Sequence, residues 1–261
     1  ANCDDDAVAD CEDDLNRVAS ELANCVGDTA IALSQIADDM AFFETKANYG
    51  KSMVTGFIRL DGMTIGCVAN RTEIYDEEGK LVEKLDAVLT PAGCEKAAEF
   101  IKFCDAFEIP VLTLTNVKGF ASCTCAEKKM AKAVAKLTYA FADATVPKVN
   151  VIIGQAYGSA YVAMNSKAIG ADVTFAWDNA EIGTMDAKLA SKIMYDGQGA
   201  DVIEEKAKEY AALQNSAMSA AKRGYVDYII TPADSRKYII GAFEMLYSKR
   251  EERPAKKHGT V

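Results

Sequence analysis

The run from Val149 to Met164 constrains the fold most. Its first half, Val149-Asn150-Val151-Ile152-Ile153, is apolar and β-branched and lies between Pro147 and Gly154, the pattern of a buried strand. Its second half changes character. Gly154, Ala156, Gly158, Ser159 and Ala160 are too small to fill a core, but they let backbone come close to another group. A helix that starts there points free N–H groups past the end of the strand. Fixed donors in a site without bulky side chains suit an oxyanion. The same pattern also fits a tight strand–helix crossing packed on small residues.

Around this stretch, strands alternate with helices from residue 53 onward, which predicts an α/β fold with mostly parallel pairing. Met53–Leu60 and Met63–Asn70 flank Asp61-Gly62, a strong hairpin signal. A loop is expected from Arg71 to Thr90, with a solvated turn at Asp76–Gly79. A helix follows over Thr90–Phe107 with Pro91 in its first turn and Ala97, Ile101, Cys104 and Ala106 on its packed face. Further strands are predicted at Val111–Thr115, Asp172–Trp177 and Tyr225–Ile230. Helices are predicted over Cys125–Ala144, from Gly158 to near Lys167, over 200–222 and over 234–248, the last with Asp234 as N-cap. Asp178–Gly183 reads as a turn into a helix. Residues 1–48 read as a helical arm. Asp4-Asp5-Asp6 stands at a helix start, Val8, Cys11, Leu15, Val18 and Leu22 recur at helical spacing, and a second helix over Thr29–Thr45 would bury Ile31, Ile36, Met40 and Phe43. In such folds ligands lie beyond the carboxyl ends of the strands, which selects the loops Asn116–Cys123 and Gly154–Ala160.

The residue inventory excludes several chemistries. The 261-residue chain carries a formal net charge of −10 with no basic stripe, which argues against a nucleic-acid partner. No apolar run is long enough for a membrane span, and no signal peptide is expected. The chain opens without Met and reads as processed or cut. Its eight cysteines lie mostly in helix or strand patterns and read as reduced thiols of a cytoplasmic protein. Cys123-Thr124-Cys125 is the one close pair, too few ligands for a metal site. The single histidine, His258, sits in a basic tail, so a histidine-driven nucleophile is not expected. Chemistry must rest on backbone donors, carboxylates, tyrosines or a cofactor. No Walker A or dinucleotide-binding glycine motif is present.

Six separated segments then carry a resemblance. Phe57–Gly62 with Gly66–Asn70 comes first, followed by Ala97–Ile101 with Cys104–Pro110, and by Asn116-Val117-Lys118-Gly119-Phe120. Ala156-Tyr157-Gly158-Ser159-Ala160-Tyr161, Phe175-Ala176-Trp177 with Ala180–Gly183, and the tail Lys249–Glu251 with Arg253–Gly259 complete the set. In this order they resemble the C-terminal half of biotin-dependent carboxyltransferases, acyl-CoA carboxylase and decarboxylase subunits of the crotonase (ClpP-like) superfamily. The resemblance covers about residues 44–261. It implies a crotonase fold of repeated ββα units, with 49–261 as the carboxyltransferase domain behind the arm 1–48. It also implies transfer of a carboxyl group between an acyl-CoA and biotin carried covalently on a separate carrier domain or subunit.

By that resemblance Gly158, Ser159 and Ala160 supply the biotin-side oxyanion hole, and Gly119 and Phe120 contribute from the facing loop. Tyr157 and Tyr161 flank the hole; lining of the biotin slot and packing against the next layer are both open for them. The acyl-CoA-side hole would come from an N-terminal carboxyltransferase half on another chain or domain. The expected partners are that half and the biotin carrier, within a homo- or hetero-oligomer. Three positions depart from the family pattern: Ser159 replaces a glycine, Lys118 replaces a proline, and Ala121–Glu127 replaces a Pro-Gly-rich entrance loop. Two alternatives follow from the same fold. A crotonase-type hydratase or isomerase would use Glu181 and a second carboxylate near Val162, and a non-catalytic half would only complete a partner's site. Glu181 as a helix cap is the structural alternative. Lys256 and Lys257 read as CoA-phosphate contacts or as a solvated tail.

Overall fold

The computed structural model describes residues 13–76 and 78–252. Along the chain they form α1 (Thr29–Ile36), β1 (Phe43–Thr45), β2 (Met53–Leu60), β3 (Met63–Asn70), β4 (Glu73–Tyr75), β5 (Leu81–Lys84) and β6 (Val88–Leu89). Then come α2 (Pro91–Ala106), β7 (Val111–Val117), β8 (Gly119–Phe120), α3 (Thr124–Asp143), β9 (Lys148–Tyr157) and α4 (Gly158–Ala163). The remainder is β10 (Val173–Trp177), β11 (Glu181–Gly183), α5 (Ala187–Met194), α6 (Ala200–Tyr210), α7 (Ala217–Lys222), β12 (Tyr228–Ile230) and α8 (Ser235–Leu246). β7-β8-α3 and β10-β11-α5 are ββα units, and the β2-β3 pair is followed by α2 after the intervening β4–β6.

The main sheet runs β1-β2-β3-β7-β9-β10-β12, with β11 also pairing β9. The hairpin closes on Leu60↔Met63, and Asp61 and Gly62 take φ of 51° and 70°, the twist-compatible two-residue turn. From β3 onward pairing is parallel, which buries the strands on both faces. All seven residues of β7 are buried, as are Val149, Val151, Ile152 and Ile153 of β9. Thr90 caps α2 by accepting from Gly93 N at 3.1 Å, with Pro91 at the first helical position.

Several expected elements differ. The helix expected over Thr29–Thr45 stops at Ile36, and Asp39 and Met40 turn through φ of 53° and 54°. The cause is Asp38. Its carboxylate is drawn inside, taking Arg236 Nη2 at 2.6 Å and Gly62 N at 3.0 Å. Phe43–Thr45 then pairs with β2 as a strand, and Ile31, Met40 and Phe43 are exposed while Ile36 is buried. Before α1 the described residues are a turn and a short 3-10 segment, Leu22–Cys25. Leu22 is buried there, whereas Val18 and Leu15 face solvent. Asp4–Asp6, Val8 and Cys11 lie outside the described residues, as do Lys256, Lys257 and His258.

The helix after β9 ends at Ala163, because Asn165 adopts φ of 52° and turns its amide into the core toward Thr113 Oγ1 at 3.1 Å. The helix expected over 200–222 breaks at a π turn, Ala211–Asn215, before Ser216 caps α7. Ala106 is exposed at the end of α2. Asp234 precedes α8 but binds Thr231 Oγ1 and Lys237 Nζ rather than a backbone N–H. The Arg71–Thr90 loop contains the β4–β5 hairpin and β6. Cys25, Cys67, Cys94, Cys104, Cys123 and Cys125 are free thiols. Among the described residues no helix is long and apolar enough to cross a membrane.

Candidate functional site

The two loops selected from sequence meet where β7 and β9 part. Their register jumps from Thr115↔Ile152 to Val117↔Ala156, so β9 carries two extra residues there. Asn116 fills the gap. Its Oδ1 accepts from Gln155 N at 3.0 Å, and its own N donates to Asn70 Oδ1 at 3.0 Å. A side-chain amide thus replaces the missing rung of the ladder and ties the loops together. Gly154 is required beside it: a Cβ there would lie 2.7 Å from Asn116 Oδ1.

Beyond the gap, β9 runs into α4. Tyr157 is still extended, with φ of −116° and ψ of 136°, and makes no side-chain cap. Gly158 then takes φ of 58°, and a Cβ on it would meet Thr184 O at 3.1 Å. Both the conformation and the close approach demand glycine. Gly158, Ser159 and Ala160 are the first residues of α4, so their N–H groups have no partner within the helix. Ser159 is exposed, Gly158 half-buried and Ala160 buried.

The facing loop is held by β6. Val88 pairs with Gly119 and Leu89 with Phe120, while Lys118 N donates to Ala87 O and Ala121 N to Leu89 O at 2.8 and 2.9 Å. A Cβ on Gly119 would meet nothing within 4 Å, so its backbone borders open space. Between the loops lies one cleft of about 580 Å³. Gly119, Phe120, Tyr157, Gly158, Ser159 and Ala160 all line it, together with Lys118. Tyr161 is not among its lining residues; its ring is buried in the core. The cleft continues into a neighbouring groove through Asp86, Val88, Phe120 and Ser122, and Lys51, Ser52 and Cys123 line that extension.

The other wall was not read from the sequence: Thr184, Met185, Asp186 and Leu189. Asp186 caps α5, accepting from Leu189 N at 3.0 Å. Its signal was local, an aspartate three residues ahead of a helix residue that needs an acceptor. Glu181 does not cap α5. It sits in β11, paired opposite Gln155, and its carboxylate accepts from the Tyr157 hydroxyl. Burial first, and then Glu181, push the Tyr157 phenol above its ordinary range. Burial, with Tyr225 as the lesser cause, pushes Tyr161 up to about 12. Both phenols stay neutral at physiological pH. Lys118, about half exposed, brings an ammonium to the mouth, 3.8 Å from Asp86 Oδ1. The cleft therefore offers the N–H groups at the start of α4, the half-exposed Lys118 ammonium, and two carboxylates, Asp86 and Asp186, at its walls.

Comparison with known proteins gives a consistent result. The sequence profile described as Carboxyl transferase domain matches residues 2–261. The propionyl-CoA carboxylase beta chain of Saccharopolyspora erythraea is 39% identical over 267 residues, covering 98% of this chain and 47% of that protein. The methylmalonyl-CoA decarboxylase subunit alpha of Propionigenium modestum is 37% identical over 271 residues, covering 96% of this chain and 49% of that protein. The crystal structure of transcarboxylase 12S, described as a hexamer assembly with hydrolysed methylmalonyl-coenzyme A bound, superposes with a TM-score of 0.85. It is 36% identical and is matched over 95% of this chain and 48% of its own. The chain spans about half the length of the curated relatives it matches. Its fold is the crotonase-like fold of these structures.

Proposed function

The chain belongs to the carboxyl transferase domain family, and from that premise we propose that it is the biotin-side half of a carboxyltransferase acting on an acyl-CoA. The observation that carries this reading is the single cleft into which the α4 N-terminus and the Gly119-Phe120 strand both open. The residues fit a biotin ring. Gly119 leaves free space, Gly158 permits close approach, and the N–H groups at the start of α4, without partners inside that helix, suit an acceptor such as a ureido oxygen. Biotin, when bound on its carrier, supplies the nitrogen that carries the carboxyl group.

The chain's own residues position that group and hold charge. Ser159 and Ala160 N–H donate to an oxygen that gains negative charge, and Gly119 and Phe120 close the opposite side. Such donors are preorganised and need no reorientation during reaction, and losing one typically costs about 10²–10³ in rate. In this reading residues 49–261 are the carboxyltransferase unit and 1–48 its N-terminal extension. The acyl-CoA-side donors come from a second carboxyltransferase half, and the assembly is cytoplasmic and oligomeric. Transfer in either direction is in keeping with relatives named as a carboxylase and as a decarboxylase.

The hydratase alternative is weaker. Glu181 is occupied by Tyr157, and Val162 stands where a second carboxylate is needed. The test is affinity capture from source-cell lysate with this chain as bait, read by mass spectrometry and a streptavidin blot. A biotinylated carrier together with a second crotonase-like chain is expected. A chain that captures neither and hydrates enoyl-CoA alone would overturn the proposal.

A further inference from the structure

Lys96 is a buried amine that does not line the cleft described above. It lies in α2 and is 1% exposed. Its Nζ donates to Met53 O at 2.8 Å. Among the described residues it forms no ion pair: the nearby Glu99 is held by Lys46, and Glu44 by Arg71. An ammonium buried against a neutral carbonyl is poorly compensated for its lost hydration. Burial pushes Lys96 down to about 8; Glu44 opposes this, while Arg71 and Lys46 add to it.

A separate cleft of about 310 Å³ has the Lys96 side chain among its lining residues. Lys96, Phe100 and Phe103 recur at helical spacing on one face of α2, and Phe57 of β2 closes the space. The Phe57 ring lies 5.0 Å from that of Phe100 and 6.1 Å from that of Phe103. Phe103 is 46% exposed, so the cleft communicates with solvent. The Lys46–Glu99 ion pair, Thr45 and Thr55 complete the lining, so a buried amine stands beside three aromatic rings in a cleft outside the site described above.

We propose that Lys96 is an acylation site that accepts a short apolar acyl group from an acyl thioester. The neutral Nζ attacks the thioester carbonyl carbon and the C–N bond forms. The C–S bond breaks, and the thiol leaves with the electron pair and takes up the proton that Nζ loses. The product is an amide. It still carries one N–H to donate to Met53 O, it places its acyl chain against Phe57, Phe100 and Phe103, and it removes a buried charge. Acyl thioesters are the substrate class of the reading above, but the modification itself requires neither biotin nor a second chain.

The test is incubation of the full chain with propionyl-CoA from pH 7 to 9.5, with site occupancies read by peptide mass spectrometry. At pH 8 the lowered pKa gives Lys96 roughly a hundredfold more neutral amine than an ordinary lysine. Labelling at least tenfold above the exposed Lys188 and Lys222 is therefore expected. The Lys96 rate should level off a little above pH 8 while theirs keeps rising. Lys96→Arg should abolish that label alone. Labelling of Lys96 at or below the level of Lys188 and Lys222 would overturn the proposal and leave the carboxyltransferase reading untouched.

Discussion

Gly154→Ala is expected to destabilise the chain through one contact. Gly154 is not in the left-handed region, so its backbone accepts alanine without strain. The new Cβ, however, would stand 2.7 Å from Asn116 Oδ1 and 2.9 Å from its Cγ. Restoring ordinary contact requires the amide to retreat by about 0.7 Å. That carries the 3.0 Å bond from Gln155 N out of hydrogen-bonding range and strands a partly buried N–H. The cost is about 1–3 kcal/mol, or a fall in Tm of roughly 3–10 °C for a chain of this size. A double-mutant cycle with Asn116→Ala, read by urea denaturation, isolates the cause. Asn116→Ala loses the same bond and has a similar cost. In its background Gly154→Ala should become neutral or stabilising by a few tenths of a kcal/mol, as glycine replacement at a compatible site is. The coupling should thus be about 1–3 kcal/mol. Additive costs would show that Gly154 is small for another reason and that Asn116 does not tie the two loops.

Further outcomes follow from the same contacts. Asp38→Ala leaves the fully buried Arg236 without its 2.6 Å partner and should cost about 3–5 kcal/mol in urea denaturation. Asp38→Leu with Arg236→Met should recover most of that loss. Asp186→Ala removes the α5 cap at the wall of the cleft, an expected loss of about 1 kcal/mol, checked by thermal unfolding. Lys96 has a folded pKa of about 8, below its ordinary 10.5, so the unfolded chain binds more protons between these values. Its contribution to stability therefore improves as pH rises through that window, and urea denaturation at pH 8 and 9.5 should show Lys96→Met lacking this contribution relative to the wild type.

How much of this was legible depended on whether a signal was local. The Asp61-Gly62 hairpin, the Thr90-Pro91 helix start and the buried β9 run were readable because turn chemistry and hydrophobic pattern act over a few residues. So were the glycines of the cleft: Gly158 announces a backbone conformation that other residues resist. The missed features depend on distant partners. Asp38 leaves its helix because Arg236 and Gly62 claim its carboxylate from elsewhere in the chain. Asn165 ends α4 early by turning its amide toward Thr113. β6 and β8 have two residues each and exist only because they pair. Glu181 looked like a cap and became a strand residue through its register with Gln155. Helical spacing in Met40 and Phe43 was misleading, since the helix stops at Ile36 and Phe43–Thr45 pairs as a strand, while Ile31 is helical but faces solvent.

The most direct measurement follows a labelled carboxyl group from acyl-CoA to biotin, catalysed by this chain assembled with its partner half. It compares wild type, Gly158→Ala and the exposed control Lys222→Ala. In Gly158→Ala the Cβ would press on Thr184 O at 3.1 Å in a strained backbone, displacing the N–H groups of Ser159 and Ala160. The account predicts transfer by wild type and Lys222→Ala alike, and a fall of roughly 10²-fold in folded Gly158→Ala. Wild-type rates in Gly158→Ala, or no transfer by the assembled wild type, would contradict it.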